Sequence, residues 1–183
     1  MRFKYLLTAL TLAVLLNGCT VRSLNPLYTG KDVVFEPGLL GTWAEHDDAD
    51  KNWTFQRYGE NGYRIISSEG MKPLEGRLVK LSGHLFLDVT PKDGDDAFAI
   101  PGHVFVKIQL SGNTMLTALL NPDWVEKAAD LKTLGLSHIR IGSKVVLTAP
   151  TIELQDFAVR YAGDESVFSR GEEYRRTAID MGR

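Results

Sequence analysis

Trp53-Thr54-Phe55-Gln56-Arg57-Tyr58-Gly59-Glu60-Asn61-Gly62-Tyr63-Arg64-Ile65-Ile66 decides the fold. Trp53 and Phe55 alternate with Thr54 and Gln56. Extended chain, with a side-chain period of two, puts the first pair on one face and the second pair on the other. Glu60-Asn61-Gly62 is a tight-turn signal, because Asn and Gly accept positive φ. Tyr63 to Ile66 then reads as the returning strand of a hairpin.

The same unit recurs outward. Residues 74–81 alternate, with Leu78 on one face and Val79 and Leu81 on the other, and Ser82-Gly83 turns them into Leu85-Phe86-Leu87-Asp88-Val89. Val104-Phe105-Val106-Lys107-Ile108-Gln109-Leu110 alternates again, and Ser111-Gly112-Asn113 turns it into residues 115–120. Upstream, Leu39-Leu40-Gly41-Thr42-Trp43-Ala44 is one more short strand. Successive hairpins with short turns make an antiparallel meander. A meander of about seven to nine strands has two open edges, and closing into a barrel removes them.

Two helices interrupt the second half. Asn121-Pro122-Asp123 supplies a cap, a proline at the first helical position and an acid in the first turn. Residues 122–132 would then place Trp124, Ala128 and Leu131 on one face, with Gly135 as the stop. Ile139-Arg140-Ile141 and Lys144-Val145-Val146-Leu147 read as strands about Gly142-Ser143. Pro150 opens a second helix over 150–162, with Leu154, Phe157, Ala158 and Tyr161 on its stripe and Gly163 at its end. Residues 167–177 hold a last short strand around Tyr174. The expected fold class is mainly β, an antiparallel meander closing into a barrel with two short helices. The alternative is an open antiparallel sheet or sandwich with helices packed on it.

Gly41-Thr42-Trp43 resembles the Gly-x-Trp signature of the lipocalin and calycin barrels. That resemblance implies that Trp43 plugs one end of a lipocalin-like barrel, under a basic residue from the last strand. Gly41, Trp43, Arg175 and Arg176 are therefore the barrel-plug candidates. The family carries one helix before a single final strand, as 150–162 would be; the additional helix at 122–132 departs from it. The resemblance also implies a carrier of a small apolar ligand. Trp53, Phe55, Phe86 and Phe105 are then the pocket candidates, beside Trp124 as further aromatic surface. In a small barrel the interior is either filled by side chains or holds one ligand.

The N-terminus reads as an address. Arg2 and Lys4 precede an apolar run over 5–16 broken only by Thr8 and Thr11, with no acid before Asp32. That is a charged segment followed by an apolar segment of signal-peptide size. It is short of the roughly 20 apolar residues a spanning helix needs. The run ends at Leu16-Asn17-Gly18-Cys19, which resembles the lipobox of bacterial lipoproteins, with Asn17 an unusual occupant. The resemblance implies cleavage after Gly18, a diacylglycerol on the Cys19 thiol, and acylation (palmitate) of the new amine. Thr20 stands where an aspartate would retain a lipoprotein in the inner membrane, which implies the outer membrane, facing the periplasm. Two or three acyl chains hold stably, at about 0.8 kcal/mol per buried CH₂.

The chain thus divides into a signal peptide (1–18), a lipidated strap (19–38) and a single β-rich domain (39–183). Asn25-Pro26 and Pro37-Gly38 break the strap. Yet Leu24, Leu27, Tyr28, Val33, Val34 and Phe35 are too apolar for a free linker, so the strap is expected to lie on the domain. Cys19 is the only cysteine, so no disulfide supports the fold. Removing 1–18 takes away Arg2 and Lys4 and no acid, leaving 19 basic residues against 23 acidic ones, a balance of −4. Nucleic acid asks for a basic stripe, and this chain has none.

Catalytic signatures are missing. Glu45-His46-Asp47-Asp48-Ala49-Asp50 and Asp93-Gly94-Asp95-Asp96 collect metal-capable groups without the spacing of a calcium loop, and both read as solvated loops. His46, His84, His103 and His138 are scattered, with no H-E-x-x-H. His103, beside Pro101-Gly102, reads as a buttressing residue ahead of a general base. Gly-x-Ser-x-Gly and Ser-x-x-Lys are absent, Gly142-Ser143-Lys144 lacks the earlier glycine of a phosphate loop, and Asn52-Trp53-Thr54 is a glycosylation triplet inside a strand. The reading has no catalytic residue, no metal and no cofactor. It is a membrane-anchored, non-enzymatic interaction module of the envelope, with the bilayer as partner through Cys19 and an envelope protein or small apolar ligand as the second. An enzyme of unidentified class, using His103 or an acidic cluster, is the remaining alternative.

Overall fold

The computed structural model describes residues 20–91 and 102–178. Gly18, Cys19, the signal segment and the Asp93–Asp96 loop lie outside the described residues. The strap contributes β1 (Arg22–Ser23), β2 (Val33–Val34) and a 3-10 turn at Pro37–Leu39. The meander follows as β3 (Gly41–Glu45), β4 (Asn52–Tyr58), β5 (Gly62–Ser67), β6 (Leu74–Leu81), β7 (His84–Pro91), β8 (Val104–Ser111) and β9 (Thr114–Leu120). Then come α1 (Pro122–Asp130), β10 (His138–Ile141), β11 (Lys144–Leu147), α2 (Thr151–Tyr161) and β12 (Phe168–Ala178).

β3 to β9 pair in sequence order, and β12 closes the ring between β9 and β3. The result is a closed eight-stranded antiparallel barrel with two helices, a lipocalin-like architecture. The β6–β7 hairpin turns on Ser82 (φ 47°) and Gly83 (φ 86°), the paired positive φ that matches strand twist. Paired residues share a face, so Trp43 with Trp53, Phe55 with Ile65, and Leu78 with Leu87 all point inward.

A second apolar cluster lies outside the barrel. Val79, Leu81, Phe86, Phe105, Leu120 and Phe168 are covered there by Val125 and Ala128 of α1 and Leu154, Phe157 and Ala158 of α2. Lys107 reaches from β8 to the Ala162 carbonyl at the end of α2. A small sheet, β1–β11–β10, sits beside the helices, with β1 parallel to β11.

Three expectations change. The last strand is long, eleven residues, not short. Its register shifts between Arg170 and Glu173, and that bulge breaks the alternation by which it would be recognised. α1 buries Val125, Ala128 and Ala129, not Leu131, which is 63% exposed. The helix ends at Asp130, and Lys132 takes the left-handed conformation (φ 57°) ahead of Gly135. Leu39 belongs to the 3-10 turn and not to the first strand.

The strap is sewn down along its length. Asn25 Nδ2 donates to the Thr148 and Ala149 carbonyls (3.2 and 2.9 Å), and Thr151 Oγ1 donates to the Pro26 carbonyl (2.8 Å). Gln155 Nε2 donates to the Leu27 carbonyl (2.9 Å) and to Asp32 (2.8 Å). β2 pairs with Leu78 and Val79 of β6, directly beyond the stretch of β6 that β5 covers. The strap therefore takes over the barrel edge where the β4–β5 hairpin runs out.

Candidate functional site

The two ends of the barrel differ. At one end Trp43 and Leu39 are fully buried. Trp43 Nε1 donates to the Leu39 carbonyl at 2.9 Å. Arg176 Nη1 donates to the Leu40 carbonyl at 3.1 Å, and its Nη2 to the Gly38 carbonyl. Three successive carbonyls of the turn thus each find a donor inside the barrel. The guanidinium lies 4.4 Å from the Trp43 ring centroid, a cation–π contact of about 0.5–2 kcal/mol. Arg175 points out of the barrel, its side chain 61% exposed. Gly41, which begins the Gly-x-Trp triplet, has φ 113°, a backbone conformation that strains any residue with a Cβ.

The strap completes this closure. Phe35 stacks on Tyr63 at 5.2 Å, and Arg57 lies over Phe35 at 4.5 Å. The Tyr63 hydroxyl accepts from the Glu36 amide (2.8 Å) and donates to the Glu36 carbonyl (3.2 Å). Burial pushes the Tyr63 phenol up to about 12.

Toward the other end the lining becomes polar. Glu45 follows Trp43 on the inward face of β3, opposite Tyr174 of β12. Tyr174 is 3% exposed, its phenol raised by burial. Glu45 Oε1 is buried with no hydrogen-bond partner. Burial raises the Glu45 carboxyl above its usual range; Lys51 opposes this, and Glu172, Asp48 and Glu69 add to it. A carboxyl and a phenol at the barrel mouth offer hydrogen bonds to a polar group.

Between these ends the described interior is lined by buried side chains. Trp43, Trp53, Phe55, Tyr63, Leu78, Leu87, Met115 and Tyr174 are all at most 6% exposed. Of the four aromatic pocket candidates, Trp53 and Phe55 belong to this interior. Phe86 and Phe105 do not; alternation puts them on the outer face, under the helices. Trp124 also lies outside, against Phe157 and Tyr161.

His103 and Asp88 meet on the outside of the barrel. Asp88 is 2% exposed; Oδ1 lies 2.6 Å from His103 Nδ1, and Oδ2 accepts the Leu27 amide at 2.7 Å. The pair ties strap to barrel, a structural task that no local pattern marks at Asp88. His46 is exposed, His84 lies edge-on to Phe86, and His138 Nδ1 bonds the Leu136 carbonyl. In the 45–50 loop, Asp48 accepts the Asp50 amide (3.3 Å) and pairs with Lys51 (3.5 Å). Among the described residues no three His, Cys, Asp or Glu gather to hold a metal ion, and no helix is long and apolar enough to cross a membrane. The chain matches no family model, and neither a curated protein nor a solved structure is significantly similar to it.

Proposed function

We propose that this is a lipid-anchored envelope lipoprotein, acylated at Cys19 after cleavage behind Gly18, whose barrel is a non-enzymatic interaction module. The outer membrane, facing the periplasm, is its proposed address. The observation that supports it most is the state of the strap. Val21 is 6% exposed and β1 begins at Arg22, so the folded body starts immediately after the cysteine of the lipobox-like motif. A disordered leader would not need such a junction. The buried apolar cluster inside the barrel favours binding through the outer surface over carriage of a ligand.

Growth of the host with an alkyne-bearing palmitate tests the anchor. The wild-type protein should take the label and stay with membranes through a carbonate wash. Cys19→Ser should lose the label and become soluble; a variant that still partitioned with membranes would refute the anchor. A second reading, a carrier of a small apolar ligand, draws on Val106 and Leu119, which face inward and are only half-buried. Native mass spectrometry of protein from its host would show a bound small molecule if that reading held.

A further inference from the structure

The β1–β11–β10 sheet has one buried face and one open face. Val145, Leu147 and Ser23 are buried at 5%, 1% and 0% exposure. Pairing places Arg22 beside Val146, Val146 beside Ile139, and Lys144 beside Ile141, all on the opposite face. There Ile139 is 46% exposed and Ile141 61%, Val146 is half-buried, and Arg22 and Lys144 are exposed. An apolar strip of β-branched residues flanked by two cations is therefore turned outward.

The path of the chain says what this strip faces. Thr20 and Val21 run beside Lys144 and Val145, lining one shallow cleft with Pro122, Val125 and Glu126. The Cys19 Cα follows within about 3.8 Å of that of Thr20 by covalent geometry. Adjacent strands lie about 4.8 Å apart, so the isoleucines of β10 are roughly 10 Å across the sheet from β1. The junction cannot swing away. Ser23 exchanges backbone hydrogen bonds with His103 (2.9 and 2.8 Å), and the Leu24 amide donates to the Leu147 carbonyl (2.9 Å). An acyl chain on Cys19 would bring this sheet, with the start of α1 beside Thr20 and Val21, to the lipid surface.

We propose that the open face of this sheet, Ile139, Ile141 and Val146 between Arg22 and Lys144, lies on the bilayer and seats the two isoleucines among the lipid headgroups. The cations match anionic headgroups, and the isoleucines match the apolar boundary beneath them. The inference rests on the anchor reading above, and it fixes the orientation of the barrel as well as its address.

The test uses residues 19–183, which hold every described element. The sole thiol, Cys19, is coupled to a maleimide lipid in phosphatidylethanolamine–phosphatidylglycerol vesicles, and amide hydrogen exchange is followed over 138–147. Tethering should slow exchange there at least tenfold relative to free protein. Ile139→Ser/Ile141→Ser should abolish the slowing while leaving exchange in β4–β9 unchanged. Lys144→Glu, an exposed change that cannot unfold the barrel, should reduce it severalfold. Unchanged exchange on tethering would overturn the proposal, as would equal slowing in the double variant. Slowing that appears without vesicles and grows with protein concentration would overturn it in favour of a second copy on the open β10 edge. The anchor reading fails separately, by an unmodified Cys19 in the intact mass of protein from its host.

Discussion

Arg176 and Glu45 show what single residues do at the two ends of the barrel. Arg176 joins the last strand to the turn before the first by two carbonyls and one indole ring. Arg176→Ala should cost about 2–3 kcal/mol in denaturant unfolding, while Arg175→Ala, whose side chain is in solvent, should stay within about 0.5 kcal/mol. Glu45 is the opposite case, a carboxyl partly withdrawn from water without a partner. Its folded-state pKa is raised, so the folded protein holds this proton more tightly than the unfolded chain does. Its contribution is therefore fully present below the ordinary carboxyl value and is lost as pH rises through the raised one. Glu45→Gln should stabilise the protein by about 0.5 kcal/mol at pH 7 and by nothing near pH 4, seen as a thermal shift that disappears on acidification.

At the scale of elements, the buried Asp88 carboxyl is one of the groups that hold the strap. Asp88 accepts from His103 and from the Leu27 amide at once. Asp88→Ala leaves both donors without their acceptor and should cost about 3 kcal/mol, with hydrogen exchange of residues 21–35 rising before that of the barrel. The apolar strap and a buttressing His103 were legible in the sequence, but Asp88 was not, because it meets Leu27 from 61 positions away. The hairpins were legible, because alternation and turn residues are local signals. Alternation separates two faces but does not say which is inside. The outer faces of β7 and β8 each set one aromatic among polar residues, and Phe86 and Phe105, which read as pocket residues, lie there under the helices instead. β1 and β2 are two residues each and owe their existence to partners near 146 and 79. The Gly-x-Trp triplet was readable at once, but the choice between Arg175 and Arg176 depended on a bulge that no pattern marks.

At the scale of the molecule, the barrel is completed by its two ends. Arg176 reaches Leu40 across 136 residues, and β12 supplies both missing edges, those of β3 and β9. Deletion of 168–183 should therefore abolish cooperative unfolding and leave an aggregating sheet, visible as loss of a single thermal transition and a rise in light scattering. The closure has a timetable as well. A chain that leaves the ribosome, or crosses a membrane, N-terminus first exposes seven strands and two open edges before the eighth arrives. Pairings so distant in sequence form slowly. Between the emergence of Leu120 and that of Phe168, the edges of β3 and β9 stand without the strand that pairs them. The intervening α1, β10, β11 and α2, which cover the outer apolar cluster, set how long that interval lasts.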